Sequence, residues 1–79
     1  MAKKLQLVEV EWTDAQIGGG WNTRERYADK GIAKCRTAGY LLVRDKRSIT
    51  IMQNVCDDGT VSDSMTIPAG CVKRVRRLK

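Results

Sequence analysis

Trp21, Arg24, Arg26 and Tyr27 follow directly on Gly18-Gly19-Gly20. Two aromatic rings interleaved with two guanidiniums can stack a base and clamp a phosphate. The glycines ahead of them can present backbone N–H groups to an anion. They lack the Lys-Ser/Thr of a P-loop, so a flexible connection is the plainer reading of the triplet. For Trp21 the competing reading is that it folds back to plug one end of a small core.

Other chemistry is poorly served. The chain has no histidine, so neither a Ser-His nor a Cys-His nucleophilic site can be assembled. Asp57, Asp58 and Asp63 gather around a glycine-containing turn, but their spacing does not match the twelve-residue calcium loop. Cys35, Cys56 and Cys71 are odd in number, widely spaced and form no C-x-x-C pair. They make neither a disulfide framework nor a usual zinc ligand set. The expectation is a binding protein that is not an enzyme and uses no metal and no cofactor.

Charge points to the partner. Fifteen Lys and Arg against nine Asp and Glu give a net charge of +6, unevenly spread. Lys73, Arg74, Arg76, Arg77 and Lys79 form a basic run at the end. Arg44, Lys46 and Arg47 surround Asp45 in a charged turn. Lys30, Lys34 and Arg36 make a third group. Such clustering attracts phosphate-bearing partners. Arg36, Arg44, Lys46 and Arg47 therefore join Trp21, Arg24, Arg26 and Tyr27 as candidate ligand contacts. On a strand, Arg74 and Arg76 would share one face and Lys73 and Arg77 the other, with Lys79 a frayed tail.

These residues need elements to hold them, and 79 residues make one domain, 1–79. A chain of this length buries only about 60–65% of its unfolded surface, which favours a homo-oligomer. Residues 5–12 alternate from Val8, with Val8, Val10 and Trp12 on one face and Glu9 and Glu11 on the other. That is a half-buried strand, with a bulge expected near Leu7. Residues 13–30 form a long loop. Asn22 and Glu25 stand at capping-box spacing, so Thr23 to Asp29 is read as a short helical turn that Gly31 ends. Extended structure resumes at Ile32, bends at Ala38-Gly39 and runs to Val43. Ser48 to Val55 and Val61 to Ile67 flank a hairpin turn at Asp57-Asp58-Gly59-Thr60. Pro68-Ala69-Gly70-Cys71 suits one 3₁₀ turn. Val72, Val75 and Leu78 recur every three positions, which fits a bent strand or an amphipathic helix; the strand is favoured because the segment is too short for an unaided helix.

The order is that of a mainly β, five-stranded SH3-like or Sm-like barrel with a long first loop and a 3₁₀ turn before the last strand. Fold likeness of this kind does not fix function. The chain also resembles a family of small accessory proteins of bacteriophages and prophages that carries no assigned activity. The matching residues are Trp12-Thr13-Asp14-Ala15, Gly20-Trp21, Gly39-Tyr40-Leu41-Leu42, Ile49-Thr50-Ile51 and Ile67-Pro68-Ala69-Gly70, then Val72, Val75 and Leu78. Members of that family are often acidic at the end, where this chain is basic. The resemblance implies a phage protein acting inside a bacterium.

Three functions compete on this reading. One is counter-defence by sequestering an anionic nucleotide immune signal. A second is an RNA- or DNA-binding accessory module. The third is an anti-CRISPR-like inhibitor directed at a bacterial defence protein. The expected location is the host cytoplasm, without a membrane partner. No apolar run approaches the roughly 20 residues of a membrane span, and Met1-Ala2-Lys3-Lys4 leads into an alternating strand rather than a signal sequence.

Overall fold

The computed structural model describes residues 4–78; Met1, Ala2, Lys3 and Lys79, and the expectations attached to them, lie outside the described residues. Period-two alternation produces the first strand, β1, Leu7–Asp14. Val8 and Val10 turn inward and are buried. The strand starts later than 5–12, although Gln6 still accepts a hydrogen bond from Leu41 N at 2.8 Å.

Four more strands follow: β2, Ala33–Arg44; β3, Ser48–Val55; β4, Val61–Pro68; and β5, Val72–Arg77. Their order in the sheet is β4-β3-β2-β1-β5, with every pairing antiparallel. A single 3₁₀ turn, Ala69–Cys71, carries the chain from β4 to β5. The final segment is thus strand, not helix.

The expected barrel is not closed. β4 and β5 are the two edges of the sheet, and no ladder joins them among the described residues. The turn between them spends its hydrogen bonds elsewhere. Ala69 N donates to the carbonyl of Arg47 at 2.8 Å, and the carbonyl of Cys71 accepts from Thr13 Oγ1 at 3.5 Å. β5 is thereby delivered to the far side of β1, out of reach of β4.

β2 serves both halves of the sheet. Ala33 to Tyr40 pair with β1, and Tyr40 to Arg44 pair with β3. Two features bend it. The register shifts between Leu41 and Val43, which makes Leu42 the extra residue of a bulge. Gly39 is buried, and a Cβ there would collide with Ile51 Cγ2 and stand 2.8 Å from the carbonyl oxygen of Met52. Glycine is needed here for close approach. The bulge expected near Leu7 lies instead between Glu11 and Trp12, against β5.

Val8, Val10, Ile49, Ile51 and Ile67 form the core, with Trp12, Leu41, Cys71, Val72 and Val75 packed half-buried around it. Each fully buried aliphatic side chain contributes roughly 1.5–3 kcal/mol. Residues 14–32 are exposed without exception, so the β1–β2 connection projects as an arm. The molecule measures 57 × 23 × 22 Å with a radius of gyration of 16.2 Å, against about 12 Å for a compact chain of this length.

Candidate anion-binding surface

The arm is braced from within. Its helix, α1, Arg24–Ala28, is capped by Thr23, whose Oγ1 accepts from Arg26 N at 3.2 Å. Asn22, the expected cap, instead accepts from Thr23 N at 2.9 Å. The Tyr27 hydroxyl donates toward the carbonyl oxygens of Gly19, at 3.0 Å, and Gly20. Its ring lies over Gly18, where a Cβ would stand 2.6 Å from the ring edge. Gly20 has φ +80°, a left-handed conformation natural to glycine. Tyr27 is thus a strut for the glycine run, and its hydroxyl is engaged within the arm. Trp21 is fully exposed, so it does not plug the core. Arg24 and Arg26 are exposed beside it.

A second group forms on the sheet. β1 and its neighbours align charges by register: Thr13 with Lys34 and Glu11 with Arg36 on one side, Glu11 with Arg74 and Glu9 with Arg76 on the other. Arg74 pairs with Glu11 at 3.2 Å and Arg76 with Glu9 at 3.0 Å. These pairs are solvent-exposed, and such pairs contribute only about 0–1 kcal/mol. Lys34 and Arg36 add to the same face, so four cations stand against two carboxylates.

The bulge between Glu11 and Trp12 decides where the remaining charge goes. Arg74 pairs with Glu11 and Val72 with Trp12, so Lys73 is the extra residue. It lines two hollows. The first, of about 340 Å³, is walled by Glu11, Trp12 and Thr13 of β1 and Lys34, Cys35 and Arg36 of β2. The second, of about 270 Å³, is walled by Arg44, Asp45 and Ser48 on one side and Val72 to Val75 on the other. Lys73 thereby lines one hollow with Lys34 and Arg36 and the other with Arg44 and Arg74. Half-buried Trp12 lines the first hollow, its Nε1 donating to Thr37 Oγ1 at 3.0 Å.

The charged turn beside the second hollow is held firmly. Asp45 Oδ1 accepts from Arg47 N at 2.8 Å and Ser48 N at 3.0 Å, an Asx-turn arrangement. The acid is thus occupied by its own turn, while Arg44, Lys46 and Arg47 are exposed. Of the candidate contacts, Arg36 and Arg44 lie in the band that Lys73 joins, and Lys46 and Arg47 lie at the tip next to it. Trp21, Arg24, Arg26 and Tyr27 form a separate group on the arm.

Lys34, Lys73 and Trp12 were not among the contacts chosen from sequence. The signal for Lys73 is the three-residue spacing of Val72 and Val75. Both can face the core of a strand only if one residue between them is extra.

The acidic turn has its own use. Asp58 accepts from Thr60 N at 2.9 Å and Thr60 Oγ1 at 2.7 Å, which holds its carboxyl below the usual range. Gly59 supplies φ +92°. Among the described residues no group of three or more His, Cys, Asp or Glu is placed to hold a metal ion, and no helix is long and apolar enough to cross a membrane. All three cysteines are free. Comparison with protein-family models, curated proteins and solved structures returns no match.

Proposed function

We propose that this chain is a non-enzymatic nucleic-acid-binding protein, an accessory protein of phage type acting in a bacterial cytoplasm. We read its open sheet as a splayed member of the SH3-like or Sm-like class. The observation that carries the reading is the position of Lys73 between two hollows, which links Lys34, Arg36 and Arg44 into one open band. A band suits a chain of phosphates better than a single small anion. The exposed Trp21, with Arg24 and Arg26 beside it, supplies a face on which an unpaired base stacks.

Fluorescence anisotropy with labelled single strands and duplexes across a salt series tests this. Four phosphate contacts give a slope of log K against log[salt] of about −3 for a single strand and about −3.6 for a duplex. Lys73→Glu lowers affinity for both, and Trp21→Ala lowers it for the single strand alone. Undetectable binding at low salt, or binding indifferent to salt, refutes the proposal.

A second reading, sequestration of a nucleotide signal in counter-defence, draws on the first hollow. Its volume of about 340 Å³ and its lining of Trp12, Lys34, Arg36 and Lys73, three cations against the single acid Glu11, suit one nucleotide unit of such a signal. Saturable binding of a cyclic dinucleotide, with a rise in melting temperature that Trp12 or Lys73 substitutions abolish, favours it. Absence of any shift leaves nucleic acid as the ligand.

A further inference from the structure

An apolar hollow lies where the segment before β1, the bulged part of β2 and the β3–β4 hairpin meet, apart from the two hollows that Lys73 joins. It has a volume of about 670 Å³, and Leu5, Tyr40, Leu42, Val55 and Val61 supply its apolar lining. Leu42 is 44% exposed because the β2 bulge turns it away from the core. Met52, the register partner of Tyr40, is buried although its parity is opposite to that of Ile49 and Ile51. β3 is therefore covered on both faces at this point. Beyond Leu5 and Tyr40 lies a neighbouring hollow that Leu7 and Leu78 also line, with Arg77 at its side.

We infer that this face is where a second copy of the chain docks. Charge supports a copy rather than a nucleic acid. The charged residues lining the hollow are one cation, Lys4, and one anion, Asp57. A two-fold axis through it sets Lys4 of each copy against Asp57 of the other, satisfying the same patch twice as an isologous interface requires. None of its lining residues belongs to the two hollows joined by Lys73, so the pairing escapes most of the repulsion expected from a chain of net charge +6.

Area supports it as well. The chain exposes 6595 Å², whereas a compact monomer of this size exposes ~4,800 Å². The excess is more than the about 800 Å² that each partner gives to a standard interface. The arm holds part of that excess, Ile17 and Trp21 included, and Leu42, Val55 and Val61, between 36% and 44% exposed, keep apolar area open at the hollow.

The native mass of the full chain, measured with reductant present so that exposed Cys56 forms no cross-link, tests the inference. The expected species is a dimer of 2 × 8.9 = 17.8 kDa. Leu42→Glu, at an exposed position that leaves the core intact, gives a monomer with an unchanged circular dichroism spectrum. Lys4→Glu and Asp57→Lys each weaken the dimer at least tenfold, and the double reversal restores it. A monomeric parent protein overturns the inference, as does a dimer indifferent to Leu42→Glu and to both charge reversals.

Discussion

Replacing Gly39 by alanine tests the bend that lets one long strand serve two half-sheets. The added methyl would collide with Ile51 Cγ2, at the centre of the core, and stand 2.8 Å from the carbonyl oxygen of Met52. A side chain can rotate away, but a carbonyl paired within a ladder cannot. Overpacking of this kind costs about 1–3 kcal/mol. Loss of glycine from the unfolded chain returns about 0.4–1 kcal/mol, which leaves a net loss of at most about 2.6 kcal/mol, and about 1.3 kcal/mol at mid-range. A domain of this size changes its midpoint by about 4–8 °C per kcal/mol, so Gly39→Ala melts roughly 5–10 °C below the parent. Gly70 is the control: a Cβ there meets nothing within 4 Å and its φ is not positive. Gly70→Ala leaves the midpoint unchanged or slightly raised. Thermal melts followed by tryptophan fluorescence and circular dichroism measure both variants. If Gly39→Ala matches Gly70→Ala in stability, the close approach is not a constraint and the account of the β2 bend is wrong.

Other expectations follow from single contacts. Tyr27→Phe removes the hydroxyl that ties Gly19 and Gly20; the arm is then cut faster by protease while the global melting temperature stays within a degree or two. Glu11→Gln removes the acid between Arg36 and Arg74; affinity for nucleic acid rises, and an unchanged affinity would show that this face makes no contact. Asp58 has a depressed carboxyl pKa in the folded state, chiefly from the Thr60 N–H and then from its hydroxyl. Its stabilising contribution is present above the unfolded carboxylate pKa and is lost as pH falls through the lower folded value. Asp58→Asn should therefore flatten stability against pH in that acidic window, as acid titration of the melting temperature will show.

The legible parts of the fold were those governed by local rules. Alternation placed Val8 and Val10 opposite Glu9 and Glu11, and turn chemistry placed Gly59 and the 3₁₀ turn. Where two residues could satisfy the same rule, sequence alone chose wrongly. Asn22 and Thr23 are both good caps one position apart, and the hydroxyl took the role. Closure of the sheet was not legible because it depends on how far β5 is carried past β1, which the hydrogen bonds of Ala69 and Cys71 decide. The arm residues were recognised as a group, since they are contiguous. The band on the sheet was not, because Lys73 comes to line both the Lys34–Arg36 hollow and the Arg44 hollow only through the β5 bulge. Trp12 was assigned to the core on parity; it packs there half-buried while also lining a hollow.

The second hollow has a mechanical consequence. The sheet consists of two leaves, β5-β1-β2 and β2-β3-β4, which share the bent strand, pack on one core and are tied again at the 3₁₀ turn. Arg44 and Asp45 belong to one leaf, Lys73 and Arg74 to the other. An anion seated between them would neutralise cations on both leaves at once and act as a clasp across the open side of the fold. Ligand binding and resistance to unfolding would then be linked: spreading the leaves would release the ligand, and ligand concentration would set how rarely they spread.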